Sequence, residues 1–278
     1  MNVNLETHKP STAIERVENA LRIHAPKSVH WTELNESDLV IMHVTGRNIH
    51  RIMEAREYQK QGKSYAVIQY SMKSTRNPNP QDWMPLWNGA KAVWSYYDLP
   101  TPNLYRSPLA ADPGIFFTQE CEKKYTVGTL GDYFQAECIG EVHLAVWQTY
   151  GKAVHIGKPF DRSPVVDYFA DVDNDRMRGI YNSCERFASL RRKEGFEMPA
   201  VESLLCGVRP ILFDTPDYRQ WFDGLAEFIP ESGIPETVAS LKKMFKKSPR
   251  PVTDAEIEET KTRFNWERIV AGFWERCS

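Results

Sequence analysis

Short apolar runs alternate with amphipathic stretches along most of the chain, the pattern of an α/β protein built on parallel sheet. Ile14, Val17, Leu21 and Ile23 recur at helical spacing and predict a helix over 11–24, with Ser11 or Thr12 as its N-cap. The run 38–44 reads as a buried strand, 48–61 as a helix, 65–70 and 91–95 as further strands. Between those last two, 71–88 reads as a loop around Asn77-Pro78-Asn79-Pro80, with room for a short helix. Pro-rich turns surround Leu104–Ser107 and end at Asp112-Pro113-Gly114. On this reading the chain opens directly with a helix.

After a linker at 115–123 a second series follows. It has strands at 125–130, 152–156, 165–169, 186–190, 209–213 and 226–229. Its helices fall near 135–150, 174–183, 199–206, 234–246, 254–264 and 265–276. The order predicts two Rossmann-like, doubly wound domains, 1–115 and 124–278, with ligand in a cleft facing the strands' carboxyl ends. No internal repeat or low-complexity segment interrupts either series.

Composition narrows the function classes. The chain has 278 residues, 41% of them hydrophobic and 26% charged, which excludes disorder over most of its length. No apolar run approaches the roughly 20 residues needed to span a bilayer, and the first residues lack the basic-then-apolar pattern of a secretory signal. Five cysteines without a CxxC spacing argue against a disulfide framework or structural zinc, so a reducing, cytoplasmic setting is expected. A net charge of −2 argues against non-specific nucleic-acid binding by the whole chain. Residues 44–106 nevertheless hold nine basic side chains against four acidic ones, either a solvated surface or one that meets an anionic acceptor.

The most informative segment is 194–229. It reads as a glycine loop, a helix opened by Pro199, a stop at Gly207 and a buried strand. The free N–H groups of that helix mouth, with the helix dipole, suit a diphosphate. Glu194 lies in the loop and Glu202 in what reads as the first turn, so both are expected to point toward one ligand. A carboxylate at Glu202 is placed to accept hydrogen bonds from the vicinal hydroxyls of a ribose.

The sequence Glu194-Gly195-Phe196, Pro199, Glu202-Ser203-Leu204, Cys206-Gly207 and Pro210-Ile211 resembles the donor-site signature of GT-B glycosyltransferases, especially glycosyltransferase family 4. Tyr181–Leu190 is similar to the helix and strand that precede that signature. Phe264–Val270 resembles the family's C-terminal helix, and Ser107–Phe116 its interdomain segment. The likeness covers about 105–275. It implies that the chain transfers a sugar from a nucleotide-diphosphate sugar to an acceptor hydroxyl, with retention and without a metal or other cofactor. It further implies that Glu194 and the amides of Gly195 and Phe196 hold the sugar and its phosphate, and that Glu202 holds the ribose.

The family's Arg and Lys in the first loop of the C-terminal domain have no counterpart in Val127–Phe134, where Gly128 and Thr129 stand as donor-binding candidates. Arg191, Arg192 and Lys193 are the alternative source of positive charge, and a solvated loop is the bland reading of that trio. The N-terminal Gly-rich loop is also missing. His43, ending a strand before Thr45-Gly46-Arg47, is a candidate sugar-contacting and catalytic residue, or else a satisfied core histidine. His50 reads as a helix surface residue, while Gln69, Tyr70 and Ser71 could line the same cleft. Trp83, Trp87, Trp94, Tyr96 and Tyr97 read mainly as core, with one or two available to stack a sugar or base.

Asp171-Val-Asp173 fails as a metal site, because it precedes a helix for which Asp173 is a good N-cap, and no metal is expected. Asn35-Glu36-Ser37 matches a glycosylation sequon that a cytoplasmic chain would not use. Lys242–Lys247 suits a helix end facing its own dipole. Three alternatives stay open. One is the same chemistry on hydroxymethylated bases of DNA, another a non-catalytic nucleotide-sugar-binding protein, and the third a nucleotide-sugar epimerase. A Rossmann dehydrogenase is disfavoured because no G-x-G-x-x-G follows a strand.

Overall fold

The computed structural model describes residues 1–6, 12–46, 49–71, 80–159, 163–192 and 194–278. Two compact units emerge, 1–109 with 265–278 and 110–264. Each holds a six-stranded, all-parallel sheet with helices between the strands, as the alternating pattern demands.

The first unit contains β1 (Asn2–Leu5), α1 (Thr12–Ile23), β2 (His30–Trp31), β3 (Leu39–Val44), α2 (Arg51–Lys60), β4 (Ser64–Gln69), α3 (Met84–Gly89), β5 (Val93–Ser95) and β6 (Leu104–Arg106). Its strand order is β2-β1-β3-β4-β5-β6. All six residues of β3 are buried, which explains the uninterrupted apolar run in the sequence.

Two expectations are corrected here. The chain opens with a strand rather than a helix, and Leu104–Arg106, left unassigned between Pro-rich turns, is a strand paired with β5. In β1 the alternation is present, with Val3 and Leu5 buried and Asn2 and Asn4 half-buried, but four residues are too few to announce a strand.

The second unit contains β7 (Val127–Leu130), α4 (Ile139–Gln148), β8 (Ala153–Ile156), β9 (Val166–Phe169), α5 (Asn174–Asn182) and β10 (Arg186–Ala188). Then come α6 (Met198–Leu205), β11 (Arg209–Phe213), α7 (Pro216–Phe222), β12 (Glu227–Ile229), α8 (Ile234–Phe245) and α9 (Asp254–Arg263). Helix α7 was not anticipated. Pro216 opens it and Thr215 caps it through the Tyr218 amide, both legible signals that its short length concealed. Strand order is β12-β11-β10-β7-β8-β9, so the order reverses between β7 and β10.

The linker segment belongs to this second unit. Arg178 donates to the Ile115 carbonyl at 2.9 Å, and Asn182 both donates to the Phe117 carbonyl and accepts from the Gln119 amide.

The last helix, α10 (Trp266–Cys277), packs with the first unit and not with the domain 124–278 to which the order of elements had assigned it. Its buried face carries Ile269, Val270, Phe273, Trp274 and Cys277. Phe273 lies 5.5 Å from the Trp94 ring, and Trp274 meets Trp31 edge-on at 5.9 Å. Tyr105 donates to the Ile269 carbonyl beside Gly272, where a Cβ would fall 2.5 Å from the Tyr105 hydroxyl. Aromatic burial of this kind outweighs chain order in choosing a partner.

Candidate functional site

The candidate site lies in the second unit, at the carboxyl ends of β7 and β10. In open α/β sheets, ligands bind where the strand order reverses, because the two flanking loops part there. Chain geometry builds the site from β10 outward. Arg186, fully buried, anchors β10 through Glu227 at 2.6 Å and the Lys247 carbonyl at 3.0 Å. Phe187 packs against Gly128 of β7 so closely that a Cβ there would come within 2.6 Å of the ring. Beyond Ala188 the chain leaves the sheet, passes through Arg191 and Glu194, and enters α6. Pro199 occupies the first turn of α6, and Gly207, at φ +71°, follows its end as the sequence indicated.

A narrow crevice results, lined by Leu130 of β7, Ala188–Leu190, Glu137, Arg191, Glu197 and Pro199. Its free space holds about one water molecule. Arg191 is its single described cation. The guanidinium is paired with Glu137 and lies 3.5 Å from a Glu197 carboxylate oxygen. The negative charges of Glu197, Glu137 and Glu194 raise the guanidinium pKa against the opposing effect of burial. Burial pushes the Glu197 carboxyl up to about 8, opposed by Arg191 and reinforced by Glu194 and Glu137.

Glu194 is half-buried and belongs to this electrostatic cluster. Glu202 occupies a different environment. It is the fifth residue of α6, on the second turn and not the first, and it is 1% exposed. The buried Tyr181 hydroxyl donates to its Oε2 at 2.6 Å. The structure thus joins Glu194 to Arg191 and Glu197, and joins Glu202 to Tyr181.

The remaining donor-site expectations separate in the same way. Gly195 and Phe196 are buried, and the Phe196 ring sits in a cluster with Phe222 at 5.3 Å and Phe264 at 5.8 Å. Arg192 is committed to the protein. It donates to Glu141 at 2.9 Å, to Cys138 Sγ at 2.7 Å and to the Ser232 carbonyl at 3.1 Å. Lys193 lies outside the described residues. Gly128 and Thr129 are inside β7 and do not line the crevice, and Thr129 Oγ1 is 2.9 Å from His155 Nδ1 in the core.

In the first unit, His43 is fully buried in β3, with its ring parallel to Tyr70 at 5.7 Å. Its Nδ1 is 2.7 Å from the Tyr70 hydroxyl and its Nε2 is 3.7 Å from Glu18. Burial, and then the Glu18 charge, raise the Tyr70 pKa well above that of an ordinary phenol, so the hydroxyl keeps its proton. His43 is thus a core residue at the carboxyl-end half of β3, with Tyr70 and Glu18 beside its ring. Trp83, Trp87, Trp94, Tyr96 and Tyr97 are all buried, and Gln69 binds the Trp87 indole at 3.1 Å.

Several cations of 44–106 are engaged internally. Arg51 pairs with Glu6 and Glu54, Lys63 donates to the Asn35 and Ser37 carbonyls, and Lys91 reaches the Cys277 carbonyl. Arg47, Lys73 and Arg76 lie outside the described residues. Asp173 caps α5 by accepting from the Arg176 amide at 2.8 Å. Among the described residues, no helix is long and apolar enough to cross a membrane.

Glu137 and Glu197 were the residues that sequence reading missed. Signals for both exist. The first loop of this unit carries acids where cations were sought, and Glu197 immediately precedes a helix opened by proline.

No protein-family model and no curated protein matches the chain. Solved structures do. HepE from Anabaena, in complex with UDP and glucose, is similar with a TM-score of 0.76 at 10% identity, over 99% of this chain and 98% of that one. The apo lipopolysaccharide outer core galactosyltransferase WaaB gives 0.68 at 13% identity, over 100% and 99%. Sucrose-phosphate synthase from Thermosynechococcus elongatus gives 0.69 at 12% identity, over 94% and 76%. The fold is that of the GT-B glycosyltransferases.

Proposed function

We propose that the protein is a glycosyltransferase that moves a sugar from a nucleoside-diphosphate sugar to an acceptor hydroxyl. The second unit binds the donor and the first the acceptor. One observation supports this reading best: Arg191 meets Glu197 and Pro199 at the strand-order reversal of the second unit, in a chain with the GT-B fold. A departing diphosphate needs a cation and backbone N–H donors, and Arg191 with the loop that leads into α6 are the candidates for them. Glu194 with the Gly195 and Phe196 amides takes the sugar and its phosphate. The ribose falls to Glu202, whose carboxylate also accepts from Tyr181. The likeness of these positions to glycosyltransferase family 4 supports a retaining, metal-independent reaction.

The test is transfer from UDP-, GDP-, ADP- and CMP-sugars by the wild type and Glu194→Gln. The variant should fold and bind donor, yet lose about 100-fold or more in transfer, the usual effect of deleting a charge-stabilising group. Full activity in Glu194→Gln would remove this loop from the mechanism.

A further inference from the structure

We propose that the Glu137 carboxylate occupies the position where a phosphate of the donor would sit, and that donor binding exchanges Arg191 from Glu137 to that phosphate. Glu137 then sets donor affinity. This rests on the donor-binding reading of the second unit and adds a residue that no part of that reading requires.

Glu137 is the last residue but one before α4, in the first loop after β7. Its side chain is 6% exposed. One carboxylate oxygen accepts the Tyr133 backbone N–H at 2.8 Å, and the other accepts from the Arg191 guanidinium. The carboxylate also lies against Gly131, so closely that a Cβ there would be 1.8 Å from Oε2. Gly131 has φ +139°, a conformation that excludes other residues at little strain. A glycine without side chain, a loop amide and a guanidinium converging on one anion are what a phosphate cradle needs. Here the anion belongs to the chain.

The surrounding contacts close the same door. The Arg192 amide donates to the Ala136 carbonyl at 2.9 Å, and the Arg192 side chain reaches the Gln135 carbonyl and Glu141. The loops after β7 and β10 are thereby stitched together across the strand-order reversal, and the crevice keeps space for about one water molecule. A diphosphate cannot enter while Glu137 holds Arg191. Its entry leaves Glu137 beside a second anion, so the carboxylate must swing out and the Tyr133 amide changes partner.

The experiment is calorimetric titration of the full chain, wild type against Glu137→Gln, with UDP and separately with inorganic pyrophosphate. Glutamine keeps an acceptor for the Tyr133 amide but releases the charge. Binding of both probes should tighten at least tenfold in Glu137→Gln, and the added Arg191→Gln substitution should abolish the gain. Equal or weaker UDP binding by Glu137→Gln overturns the exchange while leaving the donor reading intact. A gain for pyrophosphate with no nucleotide bound by either protein supports the exchange and removes the donor reading. No binding of either probe by either protein ends both.

Should Glu137→Gln fail to fold, hydrogen exchange on the wild type decides. Saturating UDP should accelerate exchange at the Tyr133 amide, and unchanged exchange there overturns the proposal.

Discussion

Tyr181 of α5 donates its hydroxyl proton to Glu202 of α6 across 2.6 Å, with both side chains buried inside the second unit. A buried carboxylate is tolerated only when partners replace the water it has lost. Tyr181 is also packed against Phe187 at 4.5 Å and Phe116 at 5.9 Å, so the phenol is held in place by rings on two sides.

Tyr181→Phe keeps that packing and deletes only the donor. The substitution should cost about 1–3 kcal/mol, the penalty for a buried acceptor that loses a partner. Urea denaturation of both proteins measures it. An unchanged midpoint would mean that the hydroxyl does not support Glu202.

Gly128→Ala addresses packing between β7 and β10. The added methyl would meet the Phe187 ring at 2.6 Å and Cys184 Sγ at 2.9 Å, both in the core. Overpacking of this kind typically costs about 1–3 kcal/mol. Thermal melting should register that loss, while the folded variant keeps its donor affinity. A loss of affinity at unchanged stability would instead make Gly128 a donor contact.

A fall in stability with rising pH, between about 4.5 and 8, follows from Glu197. The folded protein holds a proton on this carboxyl up to about pH 8, whereas the unfolded chain releases it near its ordinary value of 4.5. The contribution is therefore complete below pH 4.5 and declines as pH rises toward 8, by at most ~1.4 kcal/mol per pH unit. Glu197→Gln should flatten that decline in denaturation series between pH 5 and 8. An identical slope in the variant would contradict the assignment.

Glu256 gives the opposite sign. Burial acts to raise its carboxyl, but hydrogen bonds from Arg209 and from the Thr253 amide prevail and bring it down to about 2. Its contribution is present above the ordinary 4.5 and is lost as pH falls toward 2. The same carboxylate completes a capping box with Thr253 at the start of α9. Thr253→Ala should cost about 0.5–2 kcal/mol at neutral pH, measurable by urea denaturation. A value near zero would mean that the Thr253 hydroxyl adds nothing to the hold that the Thr253 amide, Arg209 and Arg250 have on Glu256.

The parts of this molecule that were legible in its sequence are those written in local signals. Pro199 and Gly207 bracket α6 because a missing N–H and a left-handed backbone are local requirements. The apolar run of β3 announces a strand buried on both faces. What stayed hidden depends on distance in the chain. Glu137 and Arg191 are 54 residues apart, and nothing near either one forecasts their pairing. The apolar stripe of α10 was plain, but a stripe does not specify which sheet will cover it. His43 was correctly placed on a strand, yet its role is set by Tyr70 and Glu18, which other elements supply.

The central claim is that the second unit binds a nucleoside-diphosphate sugar beside Arg191 and Glu194. A thermal-shift series with UDP-, GDP-, ADP- and CMP-sugars tests it most directly. One nucleotide class should stabilise the protein by about 2.7 kcal/mol at 100 times its dissociation constant, and the effect should shrink in Arg191→Gln. Absence of stabilisation by all four at millimolar concentration would contradict the claim.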